Sequence, residues 1–231
     1  MIAAATFLLV TLQTPTTFEA LELAKIRAYH ELKTCREVWE VEMGDQKLGR
    51  DSIIDDGQYR VVITGGAGRF INLADKKTSW MLMEPQKVYY ESEIKPWTFD
   101  PKESLLKAAK DEFQFKFDSN KPMQFALSTE VKLMPIEEVT VDKEKLRKVV
   151  ALAKNAKGHE ISITQWFLPD RWLLKRFSVK GQGDGGPFEF GGVAKVLDLK
   201  AKIDPADFKL DPESIKGYQK GELPPTDGGN R

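Results

Sequence analysis

Gln58–Ser92 reads QYRVVIT, GGAG, RFINLA, DKK, TSWMLM, EPQ, KVYYES. Four short runs rich in β-branched and aromatic residues are divided by turn chemistry at Gly65–Gly68, Asp75–Lys77 and Glu84-Pro85-Gln86. That spacing predicts an antiparallel meander of short strands joined by tight turns. The pattern continues upstream. Asp55-Asp56-Gly57 is a turn signal, Leu48 to Ile54 reads as a returning strand, and Gly44-Asp45-Gln46 is a second turn. Before it, Trp39, Val41 and Met43 alternate with Glu40 and Glu42, as in a half-buried strand with one wet face. Thr16-Thr17-Phe18-Glu19 reads as a capping box, a hydroxyl with a carboxylate three residues later. It opens a helix to about Lys33, with Leu21, Ala24, Ala28 and Leu32 on one face.

Downstream the pattern breaks after Glu93. Asp100-Pro101-Lys102-Glu103 predicts a short amphipathic helix carrying Leu105, Leu106 and Ala109. Phe113, Phe115 and Phe117 alternate with polar residues, and Phe125, Leu127, Thr129 and Val131 line a further candidate strand. Asp142 is expected to cap another helix, with Leu146, Val149, Val150 and Ala153 as its apolar stripe and Gly158 as its stop. A hairpin follows, Glu160 to Leu168 and Arg171 to Lys180 about Pro169-Asp170, then a glycine-rich loop and a long strand from Phe188 to Leu199.

Two places resemble a known family. The Tyr-Arg strand at Tyr59-Arg60, the Asp-Lys-Lys-Thr-Ser-Trp run ending at Trp80 and the Tyr-Tyr pair at Tyr89-Tyr90 are similar to the periplasmic lipoprotein carriers of the LolA/LolB-like fold. So is the stretch from Lys200 to Leu210, where Asp204-Pro205 and Phe208 form an Asp-Pro-x-x-Phe segment that in the family caps the last strand. The resemblance covers about Thr17 to Leu210. It implies a mainly β member of the α+β class: a curved antiparallel sheet, an incomplete barrel, with helices covering its concave face. It also implies non-catalytic binding of acyl chains of lipoproteins or lipids in a hydrophobic cavity, for transfer between membrane-bound donor and acceptor proteins toward an outer membrane. Relatives of the same architecture bind free lipids or act as envelope sensors and scaffolds for a protein partner. In the carriers a basic residue followed by Pro precedes the aromatic-Arg strand and latches a helical lid. Here that place reads Asp55-Asp56-Gly57, so the latch residue is absent.

Composition is compatible with this reading. Lys+Arg and Asp+Glu balance at 35 each, which lacks the basic surplus of a nucleic-acid binder. Met1 to Gln13 is apolar and has the length of a signal-peptide core but is too short to span a bilayer. Residues 1–16 are therefore expected to be a signal peptide, 17–212 the binding domain and 213–231 a flexible tail, in a periplasmic monomer with no integral membrane span.

Catalytic motifs are sparse. His30, His159 and Cys35 are the only histidines and the only cysteine, and His30 and Cys35 are not at a spacing that shares a helix face. One cysteine excludes an intramolecular disulfide and a cysteine-based zinc cluster. Gly65–Gly68 lies between two strands rather than opening a helix, so it is not a phosphate loop. Asp55-Asp56 and Glu137-Glu138 imitate a carboxylate dyad, but neighbours in a turn point into water. No enzyme, metal or cofactor is expected. The candidate lipid-binding cavity is instead lined by Trp39, Met43, Tyr59, Val61, Ile63, Phe70, Trp80, Leu82, Tyr90, Phe113 and Phe115, with Met81 and Met83 as adaptable wall residues.

Overall fold

The computed structural model describes residues 14–94, 113–115, 123–125, 131–154, 158–183 and 185–222. It opens with α1 (Phe18–His30), capped by Thr17, whose hydroxyl accepts from the Ala20 amide at 3.2 Å. The cap is one residue later than the capping box suggests. Strands β1 (Thr34–Met43), β2 (Gln46–Asp55), β3 (Gln58–Gly65), β4 (Gly68–Ala74), β5 (Thr78–Met83) and β6 (Val88–Glu93) form the expected meander. Its turns follow their chemistry. Asp56 and Gly57 sit at positive φ between β2 and β3. Asp75 Oδ1 accepts from the amides of Lys77 and Thr78 at 2.7 and 2.8 Å, and these bonds hold its carboxyl below the usual range. Gly68, at φ +109°, lies where an added Cβ would stand 2.3 Å from the Pro85 ring.

The chain resumes in β7 (Phe113–Phe115) and β8 (Met123–Phe125), which pair with each other apart from the main sheet. Phe117, Leu127, Thr129 and the helix expected after Asp100 lie outside the described residues. Then come β9 (Lys132–Leu133), β10 (Glu137–Val141), β11 (Glu144–Lys154), β12 (Glu160–Phe167), β13 (Leu174–Gly183), β14 (Gly186–Asp198) and the short β15 (Gln219–Lys220). The main sheet runs β10-β11-β12-β13-β14-β1-β2-β3-β4-β5-β6-β15, with β9 beside β11. It is an open, curved sheet, antiparallel except where β15 lies parallel to β6.

The helix expected after Asp142 is a strand. Asp142 and Lys143 both take positive φ, at 50° and 70°, and form the two-residue turn of a β10–β11 hairpin. Leu146, Val149, Val150 and Ala153 fit a helical stripe, yet Val149, Ala151 and Ala153 also fit a period of two, and these three are buried on one face. The β-branched pair Val149-Val150 and long partners on both flanks decide for the strand. The segment expected to be loose from residue 213 also has structure: a 3-10 turn at Pro212–Ile215, then β15.

α1 lies on one face of the β11–β13 region, here called the inner face. Leu21, Val149, Phe167 and Trp172 form its core, with Ala24 and Ala28 packed against them. Phe167 and Trp172 meet edge-on at 5.3 Å, and the Arg147 guanidinium lies 5.1 Å from the Trp172 ring. On the opposite, outer face, the 3-10 turn Pro205–Phe208 packs near β3. Asp204 caps it by accepting from the Ala206 amide at 2.9 Å, and Phe208 is fully buried. Arg60 and Asp207 approach to 3.7 Å, so the two stretches that carry the family resemblance meet in space.

Candidate functional site

Cross-strand register assigns every meander residue to a face, because successive side chains alternate. Cys35, Glu37, Trp39, Val41 and Met43 of β1 stand opposite Ile54, Ser52, Arg50, Leu48 and Gln46 of β2. The same row continues through Tyr59, Val61 and Ile63 to Ala74, Asn72 and Phe70, then to Ser79, Met81 and Met83, and ends at Ser92, Tyr90 and Val88. Through β14, β13 and β12 this row connects with Val149, Ala151 and Ala153 under α1, so it is the inner face.

Of the candidate cavity residues, Trp39, Met43, Tyr59, Val61, Ile63, Phe70 and Tyr90 share the inner face. Trp80 and Leu82 do not. The β4–β5 hairpin pairs Ala74 with Ser79, which puts Ser79, Met81 and Met83 inside and Trp80 and Leu82 outside. Leu82 is 2% exposed there, beside Leu73 and Val62 on the face where Phe208 packs. Phe113 and Phe115 belong to β7, off the main sheet.

The two faces of β3–β6 are unequally covered. Val62, Leu73 and Leu82 on the outer face are buried. On the inner face Tyr59 is 38% and Met81 42% exposed, and Val61, Ile63, Phe70, Met83, Val88 and Tyr90 are half-buried. Where this strip meets the helix-covered half stands an aromatic row that the sequence reading missed: Phe177 lies 6.0 Å from Trp39 and 6.3 Å from Phe190, and Phe188 stacks on Phe190 at 6.3 Å. The alternation Phe188-Glu189-Phe190 carries the same period-two signal as the meander. Gly192 makes room for the row, since a Cβ there would lie 2.7 Å from the Phe177 ring.

A polar floor sits beside the row. Glu37 and Ser52 are buried opposite each other, and Arg50 Nε donates to Ser52 Oγ at 2.8 Å. The Tyr29 phenol of α1 lies near the Glu37 carboxylate. Burial first, then Glu37, pushes the pKa of its phenol well above the ordinary value. Burial and then Glu37 likewise push the Cys35 thiol up to about 12, so it is not a nucleophile at neutral pH.

The carboxylate pairs do not form dyads. Glu137 and Glu138 are successive strand residues on opposite faces, and Glu137 pairs with Lys148 at 3.2 Å. Asp55 accepts from the Thr34 hydroxyl at 2.9 Å, and Asp56 pairs with Lys76. Among the described residues no group of three or more His, Cys, Asp or Glu gathers as for a metal ion. A cleft of about 340 Å³ opens at the strand ends below α1, lined by Glu31, Lys33, Thr34, Arg171 and Lys200 among others. Its charged walls set it apart from the apolar strip.

No family model matches the chain, and no curated protein matches its sequence. Solved structures do. An uncharacterised conserved protein from Thermus thermophilus is 11% identical, with a TM-score of 0.52 over 88% of this chain and 99% of that one. The likeness is one of fold. The Pseudomonas aeruginosa MucA/MucB complex gives 12% identity and a TM-score of 0.48, over 87% of this chain and 62% of that one. A LolA superfamily protein from Nitrosomonas europaea gives 10% and 0.32, over 85% and 99%.

Proposed function

We propose that the protein is a non-catalytic periplasmic carrier that holds acyl chains of lipids or lipoproteins on the inner face of its sheet for transfer toward an outer membrane. The observation that carries this reading is the unequal covering of β3–β6. The chain's own C-terminal segment covers the outer face, whereas the inner face keeps Tyr59, Val61, Ile63, Phe70, Met81 and Met83 partly open. A contiguous apolar strip of this kind is the usual mark of a ligand or partner surface. Each methylene buried on it contributes roughly 0.8 kcal/mol, so ten contribute roughly 8 kcal/mol before the cost of ordering the chain. Met81 and Met83 lie side by side with Asn72 and Phe70 in register, where unbranched side chains can adapt to different chains. The sequence resemblance to the lipoprotein carriers supports the same reading, including export and membrane-bound donor and acceptor proteins. Among the described residues no helix is long and apolar enough to cross a membrane.

The test is native mass spectrometry of protein purified from its own envelope, followed by titration of delipidated protein with a neutral dye that fluoresces in apolar surroundings. Co-purified acyl lipid and dye displaced by a long-chain ester support the carrier. Protein that brings no lipid and leaves the dye dark overturns it and favours a scaffold for a protein partner.

A further inference from the structure

Across β3–β6 the inner face falls into three rows, one for each step of two residues along the strands. The first runs Tyr59, Ala74, Ser79 and Ser92, the second Val61, Asn72, Met81 and Tyr90, and the third Ile63, Phe70, Met83 and Val88. Successive rows lie about 6.7 Å apart, so the first and third are separated by about 13 Å. Polarity falls along that length. Three of the four side chains in the first row carry a hydroxyl, the second row holds the Asn72 amide and the Tyr90 hydroxyl, and the third has no side-chain oxygen or nitrogen.

The first row offers hydrogen-bond donors. Ser79 Oγ and Ser92 Oγ lie 2.7 Å apart, a contact that uses one of their two O–H hydrogens. Among the described residues the other hydrogen has at best the Ser92 carbonyl, 3.5 Å from Ser79 Oγ, the outer limit of such a bond. Tyr59, in the same row, is 38% exposed. Asn72 is flanked by Phe70 and Ala74 on its own strand and by Val61 and Met81 across it, so its four nearest neighbours on this face give its amide no side-chain oxygen or nitrogen. These groups are reachable: Ser79, Ser92 and Asn72 are only half-buried, and Met81 opposite Asn72 is 42% exposed.

We infer that the strip is directional: an acyl ester lies along the strands with its head at Tyr59, Ser79 and Ser92 and its chain end at Ile63, Phe70 and Met83. In this direction the ester carbonyl accepts from the hydroxyls of the first row, and the end of the chain meets only carbon and thioether sulfur. Reversed, the carbonyl lies among side chains with no N–H or O–H, and methylenes cover the hydroxyls. One hydrogen bond to a neutral acceptor favours the first direction by about fivefold. Asn72 stands between the two regions and marks how far along the strands polar atoms of the head find a donor. The inference rests on the inner-face reading of ligand binding.

The experiment places a fluorescent thiol label at either end of the strip. Lys77→Cys lies in the turn beyond the first row and Ala67→Cys in the turn beyond the third; both positions are exposed, whereas the native Cys35 is 1% exposed and stays unlabelled. Each labelled protein is titrated with the methyl esters of stearic acid carrying a nitroxide quencher at carbon 5 or at carbon 16. At Lys77→Cys the carbon-5 ester should quench about three- to fivefold more than the carbon-16 ester, and at Ala67→Cys the order should reverse. Adding Tyr59→Phe, Ser79→Ala and Ser92→Ala together should bring both ratios to about one while the neutral dye still binds. Should that variant fail to fold, the two ratios in the otherwise unchanged protein decide alone. Equal quenching at both ends, the opposite order, or ratios that survive loss of the three hydroxyls overturns the direction and leaves the carrier reading standing. Displacement of the neutral dye without quenching at either label also overturns it, since the ester then lies off this strip. Esters that neither quench nor displace the dye overturn both.

Discussion

Adjacent faces of one meander should respond oppositely to the same substitution. Val61→Glu places a carboxylate on the inner face between Ser52 and Asn72, two polar neighbours that can hydrogen-bond it. Val61 is only half-buried, so the lost burial amounts to roughly 1 kcal/mol, and the poorer strand propensity of Glu adds at most about 1 more. For a chain of this size that is a fall of about 4–8 °C in Tm. Leu82→Glu places the same group on the outer face, where Leu82 is 2% exposed and its cross-strand neighbours are Ile71 and Tyr89. A buried leucine is lost and a carboxylate is left in apolar surroundings, several kcal/mol together, enough to leave little folded protein.

The assay is thermal unfolding alongside titration with the neutral dye. Val61→Glu should fold and lose dye binding, because a chain on the strip would have to strip water from the new charge. Leu82→Glu should fail at the folding stage. If Val61→Glu is as destructive as Leu82→Glu, the inner face is closed core and the carrier argument fails. If Val61→Glu folds and still binds the dye with full affinity, the ligand lies elsewhere.

Phe208→Ala should cost about 3–5 kcal/mol and make the C-terminal segment sensitive to limited proteolysis, since Phe208 is fully buried on the outer face. The Cys35 thiol should resist a thiol reagent at neutral pH until the protein is unfolded. Its folded value, about 12, lies above the ordinary value of 9.0, so the unfolded chain loses its proton first; this contribution to stability is complete below about pH 9 and is lost as pH rises toward 12, which Cys35→Ser should remove from the alkaline unfolding curve. His30→Ala and His159→Ala should leave dye binding unchanged, and loss of binding by a folded variant would revive a role for either. N-terminal sequencing of envelope-derived protein should find a chain beginning between Thr14 and Ala20, and an intact Met1 in folded cytoplasmic protein would refute export.

What the sequence could show depended on how local the deciding physics is. The meander was legible because its turns are written in three or four residues: Asp56-Gly57 at positive φ, and Asp75 bonding the two amides that follow it. The β10–β11 hairpin was misread because its turn, Asp142-Lys143, lacks glycine, and because an eleven-residue strand buried on one face contains apolar residues at helical spacing too. The candidate cavity residues divide between two faces by parity. Within β5, Trp80 and Leu82 look better suited to a cavity than Ser79, Met81 and Met83, yet one hairpin register, Ala74 opposite Ser79, sends the first pair outward. Nothing within the strand shows which face will be open, because both are apolar. A segment more than 120 residues downstream decides it, by seating Phe208 on the outer face and tying Asp207 to Arg60. The open face is therefore defined by what the C-terminal segment leaves uncovered, and a loss of Phe208 should make Leu82 and Val62 accessible while leaving the Val61 side as open as before.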